Sequence, residues 1–513
     1  MTARMQTIQE DIDAIVPYSM HVSSRYLDLT KQKLSLTRLP KELTSLPTTS
    51  SQWALGVPKS VLEPLLDHWL ETYDWRAQED IFNASLPQYR TLITRPAPPG
   101  SSAHAEASAI RTHFVHARSA GEGAVPLLYV HSWPGSFIEA GRLIPLLTAA
   151  SETAQGERAQ QQQQQQQQSF HVVCPSIPGF GFSDAAEDPQ FGVEDAAEVF
   201  AALMQRLGYE EYVVCGEGWG FQVARALALK QRESVVKGVF TWNPRFERPE
   251  WGKGVKTWVQ WQVARVTGAR WPSLSFGYVP SEVQEGGKND MKGKETKGDD
   301  VMAARPMGPV LHQLLSARPQ TLAFSLCDSP VGLLAVLLDV LGVQGTGPSL
   351  GARPRSPFLD PEELELQDRE YEAAGHERVR SDDTVKASQN GVGAHISTQP
   401  WSPTDILNWT MMMWLPGAEA GLRWLRRAHI ETSAPSWSAY CNVPLGISSF
   451  RSSAATPLMW GAAAWPIVWV RRRREAVEMP PWEAPRLLAN DIRECFARLP
   501  GGTGEGKMPA ELV

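Results

Sequence analysis

Gly216-Glu217-Gly218-Trp219-Gly220 closes a short apolar run, Tyr212 to Cys215, and opens a segment of helical character from Phe221 to Lys230. A sharp strand-to-helix turn needs small residues two positions either side of its apex, because the backbone there leaves no room for side chains. Such turns present a nucleophile. Gly216 and Gly220 meet the spacing, but the apex is Gly218, which has no atom that can attack a substrate, so a covalent step lacks its actor. Beside it stands Glu217, a carboxylate that burial would bring toward acid/base duty if it faces a pocket. The alternative is that it points away. A second tight loop, His131-Ser132-Trp133-Pro134-Gly135-Ser136, follows another apolar run, Val125 to Val130. No glycine-rich phosphate loop, metal-ligand cluster or nucleotide fingerprint accompanies these segments, so no cofactor is expected.

The elements that would position these loops are legible as alternating strands and helices. Strands are predicted at 125–130, 170–174, 212–215 and 235–240, the first followed by an amphipathic segment from Glu139 to Leu147. This alternation implies a parallel sheet with helices on both faces and a ligand site at the carboxyl ends of the strands. Before it, residues 26–89 are rich in tryptophan and helix-like periodicity, as in Leu62, Leu65, Leu66 and Trp69. Two apolar helical stretches, 310–343 and 406–425, read as a cap inserted into the sheet domain. The glutamine tract 160–168 and the polar runs 284–300 and 345–400 read as loop insertions with nothing to bury.

Composition narrows the class. The chain has 513 residues, 42% hydrophobic and 20% charged, with a net charge of -7. It is long enough for two or three folding units, and it lacks the broad basic face that nucleic acid requires. The basic run Arg471 to Arg474 follows an apolar stretch and reads as a strand end meeting solvent. Five widely spaced cysteines, odd in number, fit neither a disulfide framework nor a zinc site, which suggests a reducing, cytoplasmic setting. The first twenty residues do not look like a signal peptide, and no stretch reaches the ~18 uninterrupted apolar residues of a spanning helix.

Several segments together resemble the epoxide hydrolases of microsomal type. His131-Ser132-Trp133-Pro134-Gly135-Ser136 is similar to that family's H-G-W-P-G-S motif, Pro175 to Asp184 to a second signature, and Cys215-Gly-Glu-Gly-Trp-Gly220 to its G-G-D-W-G elbow. Tyr73-Asp74-Trp75-Arg76-Ala77-Gln78-Glu79 resembles the N-terminal domain, and the stretch around Asp328-Ser329-Pro330 the cap. In that family an Asp attacks the epoxide, a His activates water, an acid orients the His and two cap Tyr residues polarise the epoxide oxygen. Carried over by local motif, the nucleophile position falls on Gly218, the His position on Glu478, the acid near Ser453, and the Tyr positions near Leu311 and Leu425. None of the five carries the family's residue. The backbone N–H groups of Trp133 and Trp219 fall at the oxyanion-hole positions. Glu478 joins Glu217 as a candidate acid or base, against the alternative that it is solvated in a loop.

The resemblance implies an α/β-hydrolase fold with a helical cap and an N-terminal helical domain. The expected organisation is a helical N-terminal domain (1–111), a first core part (112–244, with a Gln-rich insertion at 155–168), a cap (245–434, with insertions 284–300 and 345–400) and a second core part (435–513). The implied ligand is an apolar oxygenated small molecule, handled by a diverged enzyme or bound by a catalytically inactive relative. A homodimer is compatible with either reading.

Overall fold

The computed structural model describes residues 14–43, 53–95, 108–149, 168–231, 233–252, 254–284, 307–341, 401–451 and 456–499. Ser453, the insertion 345–400, and all but one residue of each of the insertions 155–168 and 284–300 lie outside them.

Nine strands form one sheet among the described residues, in the order β1-β2-β3-β5-β4-β6-β7-β8-β9. They are β1 Val16–Pro17, β2 Gln88–Arg95, β3 Ser108–Ala117, β4 Val125–Val130, β5 Phe170–Pro175, β6 Tyr212–Gly216, β7 Val236–Trp242, β8 Leu445–Ser449 and β9 Ile467–Arg472. From β5 to β9 all neighbours are parallel, while β1, β2, β3 and β5 pair antiparallel. The central strands are continuous apolar runs because both faces are covered, as in β6, every residue of which is buried. The strand order reverses around β4, between β5 and β6, so the loops leaving β4 and β6 diverge and open a crevice above their carboxyl ends.

Three helices precede the parallel part of the sheet, α1 Ser24–Ser35, α2 Lys59–Glu71 and α3 Trp75–Ser85. The buried residues of α2 are Leu62, Leu65, Leu66 and Trp69, the face its periodicity predicts. The N-terminal domain is not wholly helical, however. Strands β1 and β2 add to the sheet's antiparallel edge, and β2 buries Thr91 and Ile93 in alternation with the more exposed Leu92 and Thr94.

In the core, α4 Ile144–Thr148, α5 Val193–Arg206 and α6 Gly218–Lys230 cover the sheet. The helix expected from Glu139 to Leu147 is instead a 3-10 turn, Phe137–Ala140, and the short α4, separated at Gly141. Next come α7 Val255–Thr267 and α8 Pro272–Ser275. They were expected to belong with the cap, yet Trp261, Ala264, Tyr278 and Val283 share a small core of their own with Trp460, from the second core part.

The cap proper comprises α9 Met307–Ala317, α10 Pro319–Leu326, α11 Pro330–Leu341, α12 Pro403–Trp414 and α13 Ala418–Thr432. Each long apolar stretch is thus broken where proline denies a backbone donor, at Pro319 and Pro330; the break between α12 and α13 contains Pro416 and Gly417, at φ 90°. Among the described residues no single helix is long and apolar enough to cross a membrane. Arg142 fastens the cap to the core: it donates to Asp405 Oδ2 and to the Trp482 carbonyl, both at 3.0 Å, and lies 4.1 Å above the Trp482 ring.

The chain closes with α14 Pro480–Glu483 and α15 Pro485–Ala497. The arginine run at the end of β9 does not simply meet solvent. Arg471 pairs with Glu494, Arg472 with Glu282 at 2.7 Å, and Arg473 with the fully buried Asp491, which also accepts from Ser448 Oγ at 2.6 Å. Those pairs follow from β9's position against α15 and the α7–α8 layer.

Candidate active site

The turn between β6 and α6 has the expected sharpness, with Gly218 at φ 51°. A Cβ on Gly216 would lie 2.7 Å from the Val130 carbonyl oxygen, and one on Gly220 only 2.1 Å from the same atom. Both contacts are with backbone, so glycine is required at each. A Cβ on Gly218 would meet a side chain instead, Ser132 Oγ at 2.6 Å. The Ser132 hydroxyl accepts from the Trp219 backbone N–H at 3.0 Å. Of the two backbone donors expected to stabilise an oxyanion, Trp133 and Trp219, the second is therefore already engaged. The cause is legible in the sequence, since a hydroxymethyl group stands where the resembled motif has glycine.

The loop after β4 is built on buried polar groups. Ile177 N–H donates to His131 Nε2 at 3.0 Å, which leaves the proton on Nδ1 to reach the Ser132 carbonyl at 3.1 Å. Burial brings the His131 imidazole down to about 4, so it is a neutral strut. Glu139, also fully enclosed, accepts from Tyr129 Oη at 2.5 Å and from Ser132 N–H at 3.4 Å, and burial raises its carboxyl to about 7. The Trp133–Pro134 peptide of this loop is cis.

Above the carboxyl ends of β4, β6, β7 and β8, beneath the cap, lies a cavity of about 440 Å³. Its wall includes Ser132, Trp133, Glu217, Gly218, Trp219 and Glu478, so every candidate from the elbow, the oxyanion positions and the His position converges on one space. Glu217 contributes to that wall, and its Oε2 is enclosed without a hydrogen-bond partner among the described residues. Burial first, and then the Glu139 carboxyl, push Glu217 well above the usual carboxylate range, which favours its protonated form. Glu478 is half-buried, and its backbone N–H donates to Glu483 Oε2 at 3.3 Å.

The cap positions differ from expectation. Leu311 packs against the core and Leu425 is fully buried; neither lines the cavity. Among the cap residues that do are His312, the next position around α9, and His429, one turn beyond Leu425 on α13. Trp219 Nε1 donates to His312 Nε2 at 3.0 Å, and His312 Nδ1 lies 3.4 Å from His429 Nε2. Burial, with His429 and Arg245 adding to it, takes His312 down to about 3, and burial also lowers His429. Asn243 and Arg245, following β7, add to the polar part of the wall. Sequence reading missed both histidines because they are 117 positions apart and nothing local announces their meeting. Among the described residues no group of three or more His, Cys, Asp or Glu side chains could hold a metal ion.

Comparison with known proteins agrees with this architecture. The family described as Epoxide hydrolase N terminus matches residues 15–140, and the alpha/beta hydrolase fold matches residues 125–277. A protein of Stigmatella aurantiaca, provisionally named an epoxide hydrolase, is 28% identical over 491 residues, 94% of this chain and 85% of that protein. Epoxide hydrolase 1 of Oryctolagus cuniculus is 28% identical over 331 residues, 64% of this chain and 62% of the rabbit protein. Among solved structures, juvenile hormone epoxide hydrolase from the silkworm Bombyx mori shares the fold with a TM-score of 0.64 at 20% identity, over 94% of each chain. Aspergillus niger epoxide hydrolase does so at 0.59 and 20%, over 95% of this chain and 97% of that one. The chain thus carries both an epoxide hydrolase N-terminal segment and an alpha/beta hydrolase segment, is similar to epoxide hydrolases along most of its length, and has their fold.

Proposed function

We propose that this protein opens an epoxide, or a similarly oxygenated apolar small molecule, by acid/base chemistry without a covalent enzyme intermediate. By local motif, the family's attacking carboxylate, activating His and cap Tyr positions are occupied here by Gly218, Glu478, Leu311 and Leu425, so the covalent route has neither its nucleophile nor its base. The observation that carries the proposal is the pair of carboxyl groups on one cavity wall, Glu217 and Glu478. Two carboxyls in unlike environments divide into an acid and a base. Glu217, kept protonated by burial, gives its proton to the epoxide oxygen as the C–O bond breaks. Glu478 takes a proton from the water whose oxygen bonds to carbon. A vicinal diol results, and one proton passed back through solvent resets the pair. Such an activity suits small-molecule metabolism, secondary metabolism included.

The test is diol formation from a panel of apolar epoxides, with a single turnover in ¹⁸O-water. Direct addition places the label in the diol on the first turnover, whereas an ester intermediate would first deliver oxygen from the protein. Glu478→Gln should lower the rate by roughly 10²- to 10⁴-fold. Unlabelled diol in the first turnover would rule the mechanism out. A second reading, ligand binding without turnover, is favoured by one observation: the Ser132 hydroxyl already occupies the Trp219 N–H. Retained binding with no diol from any epoxide would select it.

A further inference from the structure

The cavity holds a sequence of nitrogen groups that the carboxyl pair does not use. Trp219 Nε1 donates to His312 Nε2, and an indole N–H can only donate. Nε2 of His312 is therefore the bare nitrogen of a neutral ring, and its proton is on Nδ1. That proton faces His429 Nε2 across 3.4 Å, a long but usable separation. His429 thus accepts on Nε2 and carries its own proton on Nδ1. One irreversible donor, the indole, sets the direction of the whole series.

The packing holds both rings in place. His312 meets the Trp133 ring edge-on with centroids 4.5 Å apart, and His429 meets Trp219 edge-on at 4.8 Å. Burial keeps both imidazoles in the neutral form that the tautomer argument needs. Trp219 is the hub, since its backbone N–H is fixed by Ser132 while its indole fixes His312. His429 Nδ1 meets no acceptor among the described residues, and the residue lines the cavity.

We infer that His429 Nδ1–H is a hydrogen-bond donor that the cap presents to the oxygen of an epoxide, ether or carbonyl ligand, with His312 and Trp219 as positioning residues that fix its tautomer. The inference rests on reading the cavity as the site of an oxygenated ligand, but it does not depend on turnover. The ligand class that satisfies it has an apolar body to lie among tryptophans and one accepting oxygen.

Two measurements test it, and neither reads diol formation. Long-range ¹⁵N–¹H correlation on histidine-labelled protein should show His312 and His429 as neutral Nδ1–H tautomers, and Trp219→Phe should release His312 from its tautomer. Equilibrium dialysis in a Glu478→Gln background, which on the proposed mechanism leaves the oxide unconsumed, with trans-stilbene oxide and with trans-stilbene, which lacks the oxygen, should show tighter binding of the oxide. His429→Phe should weaken the oxide by about five-fold, the scale of one neutral hydrogen bond, and leave the alkene unchanged. Trp219→Phe, which leaves the His429 ring in place, should narrow the same difference, with circular dichroism confirming that each variant folds. An Nε2–H tautomer at His429, no preference for the oxide in the Glu478→Gln background, or equal loss of both probes in His429→Phe would each overturn the inference. Loss of the catalytic proposal alone, with these results intact, would leave it standing.

Discussion

At the scale of single residues, Gly218 and Ser132 form a coupled pair. The space a nucleophile's Cβ would occupy is approached to 2.6 Å by Ser132 Oγ, and the serine's hydrogen bond to Trp219 N–H holds it there. Glycine also carries φ 51° without the strain, of order 1 kcal/mol, that another residue meets in the left-handed region. Gly218→Asp by itself should therefore lower the melting temperature, because the serine must rotate away from its donor. Adding Ser132→Gly should recover most of the loss. A double-mutant cycle from denaturant titrations should give a coupling energy of about 1–2 kcal/mol, and additive effects would refute the steric reading. The two substitutions together also present a carboxylate to the cavity, so the doubly substituted protein is the one in which to look for covalent epoxide opening.

At the scale of elements, one guanidinium joins the cap to the core at the start of α12. Arg142 ties the first turn of α12 to the carbonyl and ring of Trp482, and Asp405 both receives it and completes the capping box with Ser402. Arg142→Ala should cost about 2 kcal/mol through the lost charge-assisted bonds and stacking, while Arg142→Lys should recover only part, lacking the planar fork. Limited proteolysis within the cap should accelerate in the alanine variant; an unchanged cleavage rate would show that the apolar contacts of α12 suffice. The strands and turns that hold the elbow were legible in sequence because each is a local pattern, an apolar run closed by Gly or Pro. Strand β2 escaped because its alternation of Thr91 and Ile93 with Leu92 and Thr94 gains meaning only from pairing with β3. The cap histidines escaped for a related reason. Periodicity placed Leu311 and Leu425 in helices, but which neighbour reaches the cavity depends on helix rotation, which packing decides.

At the scale of the whole molecule, burial of neutral imidazoles links the fold to pH. In the unfolded chain a histidine takes up its proton near pH 6.5. In the fold, burial keeps His113 and His312 neutral down to about 3, and His116 and His131 down to about 4. Below pH 6.5 the unfolded chain thus binds more protons at these four sites, and stability falls as pH falls. Glu139 acts the other way. Its folded carboxyl keeps a proton up to about 7, whereas a free carboxyl loses it near 4.3, so this residue destabilises the fold progressively as pH rises between those values. Glu217 is displaced in the same sense. Four imidazoles against two carboxyls leave a net proton uptake on unfolding between about pH 4.5 and 6.5, and a larger one just below, where the carboxyls are protonated in both states. The urea midpoint should therefore be highest near pH 6.5–7, fall on acidification to pH 5, and fall more steeply below 4.5. A midpoint that is flat from pH 7 to pH 5 would mean that these histidines gain protons in the folded state, and so that water reaches the loops around His113 and His131.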